Sequence, residues 1–355
     1  MASPADGPDA ARRPAAGAGL AGWLQRQWWQ PRPTTAAQLL RPLSWLYRAL
    51  AALERQRHPP GVADVPVVVV GNLIAGGAGK TPSVIALVRW LREAGWTPGV
   101  ISRGYGRQAP DDITEVRPDQ PASRTGDEPL LIRLRTGAPV WVGRDRLAVL
   151  QALRRAHPEV NLVVSDDGLQ HHRLPRDVQV VVFDERGAGN GLLLPAGPLR
   201  EPLPSVLPPR SVVLYNAPAP STPLPGHVAQ RGIGGITPLA DWWAGASPAQ
   251  PLQQLQGRPV VAAAGIASPE RFFGMLEAAG LALQRLPLPD HHDFAQLPWP
   301  ASAPDVLITE KDAVKLPPAR LPPGQRVWVA TLDFRLPPGF AAALQQLLPQ
   351  PPTAP

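Results

Sequence analysis

The sequence predicts an α/β fold built on a mainly parallel sheet flanked by helices, and three observations carry that expectation. Short runs of β-branched and aliphatic residues recur from residue 65 onward and alternate with segments of helical spacing, which is the pattern of βαβ units. The runs are apolar almost without interruption, as in Val67–Val70, which suits strands covered on both faces better than half-buried antiparallel strands. The first run opens directly into a glycine-rich loop and then an apolar helical segment, VPVVVVGNLIAGGAGKTPSVIALV from Val65 to Val88.

In chain order, residues 1–20 are rich in Ala, Pro and Gly and lack a continuous apolar stretch, so they predict a disordered extension rather than a secretory signal. Over 21–58, Leu39, Leu43, Leu46, Leu50 and Leu53 recur at helical spacing, predicting an amphipathic helix. Arg41, Arg48 and Arg55 share another face, and Pro42 belongs near the helix start or kinks it. Trp23, Trp28, Trp29 and Trp45 place four of the chain's 11 tryptophans in this segment. A basic helix with such neighbours can lie in a bilayer interface; the alternative is a leucine face packed on the protein's own core.

From there the apolar runs predict strands at 65–71, 98–102, 160–165, 178–183, 211–215, 259–264, 305–309 and 327–331. The segments of helical spacing between and beyond them predict helices at 81–94, 127–136, 144–156, 269–279 and 338–348. Residues 216–257 are rich in Pro and Gly and read as a break. A second strand–loop–helix unit follows it, from Pro259 through Gly265 to the helix at Pro269. The expected organisation is therefore the extension 1–20, a basic helical segment 21–58, a core 59–225 and a smaller α/β domain 226–355.

Composition limits the possibilities. A chain of 355 residues with 44% hydrophobic content can bury a substantial core. With no cysteine, disulfides and thiolate metal sites are excluded. The net charge is +7, of which residues 1–58 supply +5 through eight Arg set against Asp6, Asp9 and Glu54. Basic charge is thus thin in the rest of the chain and no nucleic-acid-binding motif appears, which argues against a nucleic-acid partner. No run of 18 apolar residues predicts a membrane-spanning helix. Lysine occurs only at 80, 311 and 315; in a chain that otherwise uses Arg, a compact point charge at 80 is not filler.

The loop Gly76-Gly77-Ala78-Gly79-Lys80-Thr81 has the chemistry of a phosphate-binding P-loop. Its backbone N–H groups and the following helix N-terminus attract an anion. Lys80 can reach the β/γ-phosphates of ATP, and the Thr81 hydroxyl can bind Mg²⁺. The usual first glycine of that motif is replaced by Ile74. The run Asn161 to Gly168 is an apolar strand ending in Asp166-Asp167, placed as a Mg²⁺-holding carboxylate beside such a loop should be. Gln170, His171 and His172 follow and can face the same cleft; no cysteine or H-E-x-x-H pattern makes the His pair a zinc site. Asp290-His291-His292-Asp293 sets imidazoles beside carboxylates, an acid–base arrangement. Thr309-Glu-Lys-Asp312 follows a strand and suggests a further site at a strand end.

Taken together and in order, these elements resemble the tetraacyldisaccharide 4′-kinase family, the lipid A 4′-kinases of Gram-negative bacteria. The resemblance rests on Gly71-Asn72, the loop through Pro82, Ser102-Arg-Gly-Tyr-Gly106, Gly126-Asp127-Glu128-Pro129, Asp166 to His171, Leu199-Arg-Glu-Pro202, Asp290-His291 and Thr309 to Asp312, over about residues 40–335. It implies a P-loop NTPase-like fold and ATP-dependent phosphorylation of the 4′-hydroxyl of a tetra-acylated disaccharide 1-phosphate. It further implies a glycolipid partner and peripheral attachment to the cytoplasmic face of the inner membrane. It makes Asp127 the base that takes the sugar proton, with His291 orienting it, and puts Glu201 in the nucleotide and metal site. Arg103, Tyr105 and Arg200 become substrate contacts, beside Gln170 and His171. Two other readings stay open at this level: a P-loop kinase of a soluble small molecule, and a nucleotide-switched or nucleic-acid-binding protein using the basic arm.

Overall fold

The computed structural model describes residues 19–57, 59–246 and 250–352. The extension expected over 1–20 lies outside the described residues up to residue 18. Two helices, α1 (Leu20–Trp28) and α2 (Thr35–Arg57), stand where one segment was expected. Then come β1 (Val67–Gly71), α3 (Lys80–Glu93), β2 (Pro98–Ser102), β3 (Thr114–Glu115), α4 (Ala122–Thr125), α5 (Asp127–Thr136), β4 (Val140–Val142), α6 (Arg146–Ala156), β5 (Leu162–Asp166), β6 (Val178–Asp184), β7 (Ser211–Asn216) and β8 (His227–Val228). The chain continues through β9 (Gln230–Pro238), α7 (Leu239–Trp243), β10 (Val260–Ala264), α8 (Pro269–Ala278), β11 (Leu283–Pro287), β12 (Asp305–Thr309), α9 (Glu310–Ala313), β13 (Arg326–Arg335) and α10 (Pro338–Leu347).

The strands form two sheets. The first has eight strands in the order β3-β4-β2-β5-β1-β6-β7-β8, parallel throughout except for β3 on β4. The second has five, β11-β10-β12-β13-β9, with only β9 antiparallel. β1 is central, and its valines divide by strand alternation. Val68 and Val70 pack in one cluster with Val84, Leu87, Val88 and Leu91 of α3, while Val67 and Val69 pack with Val149, Leu150 and Leu153 of α6. Being covered on both faces is what the unbroken apolar run foretold. The first cluster continues into the second sheet through Val261, Val306 and Val329.

The stretch 216–257, expected as a break, contains β8, β9 and α7. β9 reads QRGIGGITP, poor in strand formers, yet it pairs with β13 from Trp328–Pro238 to Arg335–Gln230. Pairing to a long neighbour outweighs local propensity, and it also carries β13 past the expected end at 331.

α2 keeps Pro42 inside the helix. The protein-facing side of α2 is its small and polar stripe. Ala37 and Ser44 are the buried residues, Ser44 Oγ donates to Leu193 O at 2.8 Å and Tyr47 Oη donates to Arg200 O at 3.0 Å. The leucines face outward: Leu39, Leu43, Leu46, Leu50 and Leu53 are 43–77% exposed, with Trp45 at 62%. Among the described residues no core covers that face, so the reading in which it packs internally is corrected. The tryptophans of α1 are corrected in the other direction. Trp28 Nε1 donates to Pro195 O at 2.8 Å, and the Arg186 guanidinium lies 4.4 Å from the Trp29 ring centroid. Only Trp45 of the four is exposed with the leucines. No helix among the described residues is long and apolar enough to cross a membrane.

Candidate active site

The parallel strands of the first sheet end on one side, and the polar residues of interest lie at those ends, as expected of open α/β sheets. β1 runs into the glycine-rich loop, and α3 begins at Lys80. Gly79 sits at φ +79°, and a Cβ there would lie 1.8 Å from Asn216 Nδ2; only glycine lets this loop turn against β7. Asn72, just beyond β1, braces the loop by donating from Nδ2 to Gly76 O at 2.9 Å and accepting at Oδ1 from Lys80 Nζ at 3.2 Å. Lys80 and Thr81 are buried in the cleft wall.

β5 delivers the two carboxylates. Asp166 is buried, and Ser102 Oγ from β2 donates to its Oδ2 at 3.3 Å. Among the described residues its Oδ1 accepts no hydrogen bond. Burial pushes the Asp166 carboxyl up to about 7, reinforced by Glu128 and Asp167 and opposed by Lys80 and Arg146. Asp167 adopts φ +52°, which turns its carboxylate toward two cations, Lys80 Nζ and Arg200 Nη1, each 3.5 Å from Oδ1. Arg200 Nη1 also donates to Gln170 Oε1 at 3.1 Å, and Gln170 Nε2 donates to Glu201 Oε1 at 3.2 Å. Arg55 of α2 closes this chain by pairing with Glu201 Oε2 at 3.2 Å. Lys80, Asp167, Gln170, Arg200 and Glu201, far apart in sequence, are therefore one connected network.

Asp127 opens α5, and its Oδ2 meets His291 Nδ1 at 2.9 Å. His291 lies in the loop between β11 and β12 and has φ +60°, a conformation that histidine adopts more readily than bulkier residues. Burial alone would raise the Asp127 carboxyl. The hydrogen bond from His291 and the charges of Lys311 and Lys315 outweigh it and hold the group below the ordinary carboxylate value. The same hydrogen bond raises His291 above the ordinary imidazole value, against burial and Lys311. The Tyr105 ring lies 5.7 Å from His291 by centroid.

Two cavities lie nearby: Glu128, next to Asp127, lines the first, and the pair itself lines the second. One, of about 270 Å³, is lined by Gly77, Lys80, Thr81, Glu128 and Lys311 together with apolar side chains of α3, α8 and β13. The other, of about 800 Å³, is lined by Tyr105, Asp127, His291, Trp243 and Lys315.

His171 is not part of either arrangement. Its Nε2 accepts from the backbone N–H of Arg146, at the start of α6, at 3.3 Å. Burial, with Arg146 next, drives its pKa down to about 4, so it is a neutral imidazole with the proton on Nδ1. Arg103 is exposed beyond the end of β2. His292 turns inward and accepts at Nδ1 from Phe294 N at 3.1 Å, which leaves His291 as the partner of Asp127. The sequence reading gave no role to Asn72, Asp184, Arg186, Asn216 or Arg231. Asp184 and Asn216 end β6 and β7, and their place at parallel strand ends was the available signal. Arg186 clamps Asp184 and donates to Gly77 O, while Arg231 Nη1 donates to Asn216 Oδ1 at 3.3 Å.

Comparisons with known proteins agree with one another. The family model described as tetraacyldisaccharide-1-P 4′-kinase matches residues 36–349. The chain is 56% identical over 354 residues to a tetraacyldisaccharide 4′-kinase of Methylibium petroleiphilum, covering 97% of each. It is 52% identical over 339 residues to one of Leptothrix cholodnii, covering 93% of this chain and 97% of that one. Among solved structures, LpxK from Aquifex aeolicus in complex with ATP superposes with a TM-score of 0.71 at 23% identity, over 88% of this chain and 99% of the other. That last likeness is one of fold.

Proposed function

The chain belongs to the tetraacyldisaccharide 4′-kinase family, and from that premise we propose how its residues carry out the family's reaction. It is a kinase that transfers the γ-phosphoryl group of ATP to the 4′-hydroxyl of tetraacyldisaccharide 1-phosphate, in lipid A biosynthesis. The observation that carries the residue assignment is the Asp127–His291 pair at 2.9 Å, which lines the larger recess, while Glu128, the residue after Asp127, lines the cavity of the glycine-rich loop.

In this reading, Gly76, Gly77, Ala78 and Gly79 surround the nucleotide's phosphates with backbone N–H groups, and Lys80 sets its ammonium against the β/γ oxygens. Phosphoryl transfer needs position and charge neutralisation more than covalent help. Arg200 and Lys80, both already on Asp167, supply that charge. The buried, unpartnered Asp166 Oδ1 suits a divalent cation, and we assign Mg²⁺ to Asp166, Asp167 and the Thr81 hydroxyl, with Glu201 at the rim. Among the described residues no three His, Cys, Asp or Glu side chains converge as a metal cage; Mg²⁺ commonly takes one or two carboxylates and completes its shell with phosphate and water. When bound there, it neutralises charge on the transferring group.

Asp127 takes the proton of the 4′-hydroxyl as the oxygen attacks phosphorus. His291 orients the carboxylate and stabilises the proton on the pair. Its depressed carboxyl keeps Asp127 ionised at neutral pH. Tyr105, which lines the larger recess, and Arg103, beyond the end of β2, are assigned to the acceptor's sugar or phosphate; Gln170 ties Arg200 to Glu201, and His171, held at the start of α6, is given no contact with the acceptor. Residues 59–225 serve as the kinase core and 226–355 as a smaller lobe. The exposed leucines of α2, with Arg41 and Arg48 beside them, support peripheral attachment at the cytoplasmic face of the inner membrane, where the acyl chains of the acceptor reside.

The test is a mixed-micelle assay with γ-labelled ATP and Mg²⁺, offering tetraacyldisaccharide 1-phosphate and, separately, soluble glucosamine disaccharides. Label in the lipid alone is expected. Label in the soluble sugars at equal rate would favour a small-molecule kinase instead.

A further inference from the structure

The motif Thr309 to Asp312 has no part in the account so far, although two of the chain's three lysines, Lys311 and Lys315, lie in or beside it. In the fold this segment grips the helix that carries the base. Along α5, Asp127 pairs with His291, Glu128 pairs with Lys311 Nζ at 3.1 Å, and Arg135 pairs with Glu310. Glu310 is further fixed by Trp242 Nε1 at 3.2 Å and by the backbone N–H of Leu332 at 3.0 Å. Glu128 and Arg135 lie about 10 Å apart along a helix, so both ends of α5 are tied to the segment after β12. Lys311 also reaches Asp290 Oδ1 at 3.7 Å. It thus bridges the residue after the base to the residue before the base's histidine.

We propose that Lys311 is a positioning residue for the Asp127–His291 pair: by holding Glu128 and Asp290 on one ammonium, it registers the two segments that carry the pair and sets the pair's proton affinity. The inference rests on the reading of Asp127 as the base. Lys311 itself is kept charged; burial opposes this, and Glu128, Asp127 and Asp290 outweigh it, raising its pKa. Its charge lowers the pKa of both Asp127 and His291. The charged and titratable groups facing the pair are Glu128 on α5, Asp290 on the loop before β12, Lys311 and Lys315 after it, and the Tyr105 ring beyond the end of β2. Lys315 is itself held by Asp312 at 3.2 Å.

Removing the Lys311 charge should therefore load a proton onto the pair at higher pH. The experiment measures kcat and KM for ATP from about pH 5 to 9 in the full-length protein, for Lys311→Met, Lys311→Arg, Asp290→Asn and Asp127→Asn. In Lys311→Met, kcat is expected to fall about 10- to 100-fold from lost alignment, and the acid limb of kcat/KM to rise by about one pH unit. Because Lys311 also lines the cavity given to the nucleotide, the limb and kcat, rather than KM for ATP, carry the test. Lys311→Arg should return the limb toward wild type. Asp290→Asn, at a partly exposed site, is the guard against a Lys311 variant that does not fold. It removes an anion that raises His291, so its limb should move down. An unmoved limb in Lys311→Met and Asp290→Asn, or an unchanged kcat in Lys311→Met, overturns the inference. Full turnover in Asp127→Asn would instead overturn the reading beneath it.

Discussion

Asp127, His291 and His171 show one physical rule with two outcomes at the scale of single residues. Burial disfavours the charged form of all three. Asp127 and His291 compensate each other, so each keeps its charge more readily than in water, whereas His171 meets a backbone donor and Arg146 and loses it. The histidines are therefore predicted to titrate apart. In ring-resonance NMR, His291 should hold its proton above the ordinary imidazole value near 6.5, while His171 should titrate near 4 and be neutral throughout the physiological range. A His171 signal that titrates above 6 would contradict the packing around it. The pairing of Asp127 with His291 was legible only as a resemblance, since their separation of 164 positions leaves no local pattern. Lys80, Thr81, Asp166 and Asp167 were legible from chemistry alone, because a loop and a strand end present them in a recognised local order. Asp184, Arg186 and Asn216 were missed because their work, bracing the loop, is done across strands.

Among the elements, the glycine-rich loop and α2 carry the strongest consequences. The loop turns at Gly79 in a left-handed conformation against Asn216. Gly79→Ala should lose the stabilisation by ATP seen in a thermal melt, with a direct strain of about 1–2 kcal/mol from the left-handed backbone and more from the clash. Undiminished nucleotide binding in that variant would mean the loop has another shape. On α2, replacing Leu43, Leu46 and Leu50 together by Glu should reduce sedimentation with anionic vesicles. The melting temperature should hardly change, because exposed positions contribute within about 0.5 kcal/mol each. Unchanged sedimentation would leave the apolar face without its proposed role. The parallel strands were readable because burial on both faces leaves an unbroken apolar run. β9 was not, because its glycines form a strand only through the length of β13 beside it, and the docking of α1 on residues 186–196 was not, because Trp28 and Trp29 read equally well as interfacial.

Over the whole molecule, two sheets share a continuous apolar cluster and meet at the cleft that holds the glycine-rich loop. The second sheet is not an appendage to the chemistry. It supplies His291 to Asp127, Lys311 to Glu128, and apolar side chains to the cavity beside the glycine-rich loop. This explains why the family's motifs are scattered over almost the whole chain: the site exists only once both sheets are in place. Binding at that cleft should stabilise the folded protein by about 2.7 kcal/mol when ATP is at 100 times its dissociation constant, which gives a readout of nucleotide binding independent of turnover. The most direct test of the account combines that readout with catalysis in one variant. Asp127→Asn should transfer label to tetraacyldisaccharide 1-phosphate about 10²- to 10⁴-fold more slowly than wild type while keeping the full thermal shift with ATP. Wild-type turnover in Asp127→Asn would contradict the assignment of the base, and with it the role given to the second sheet.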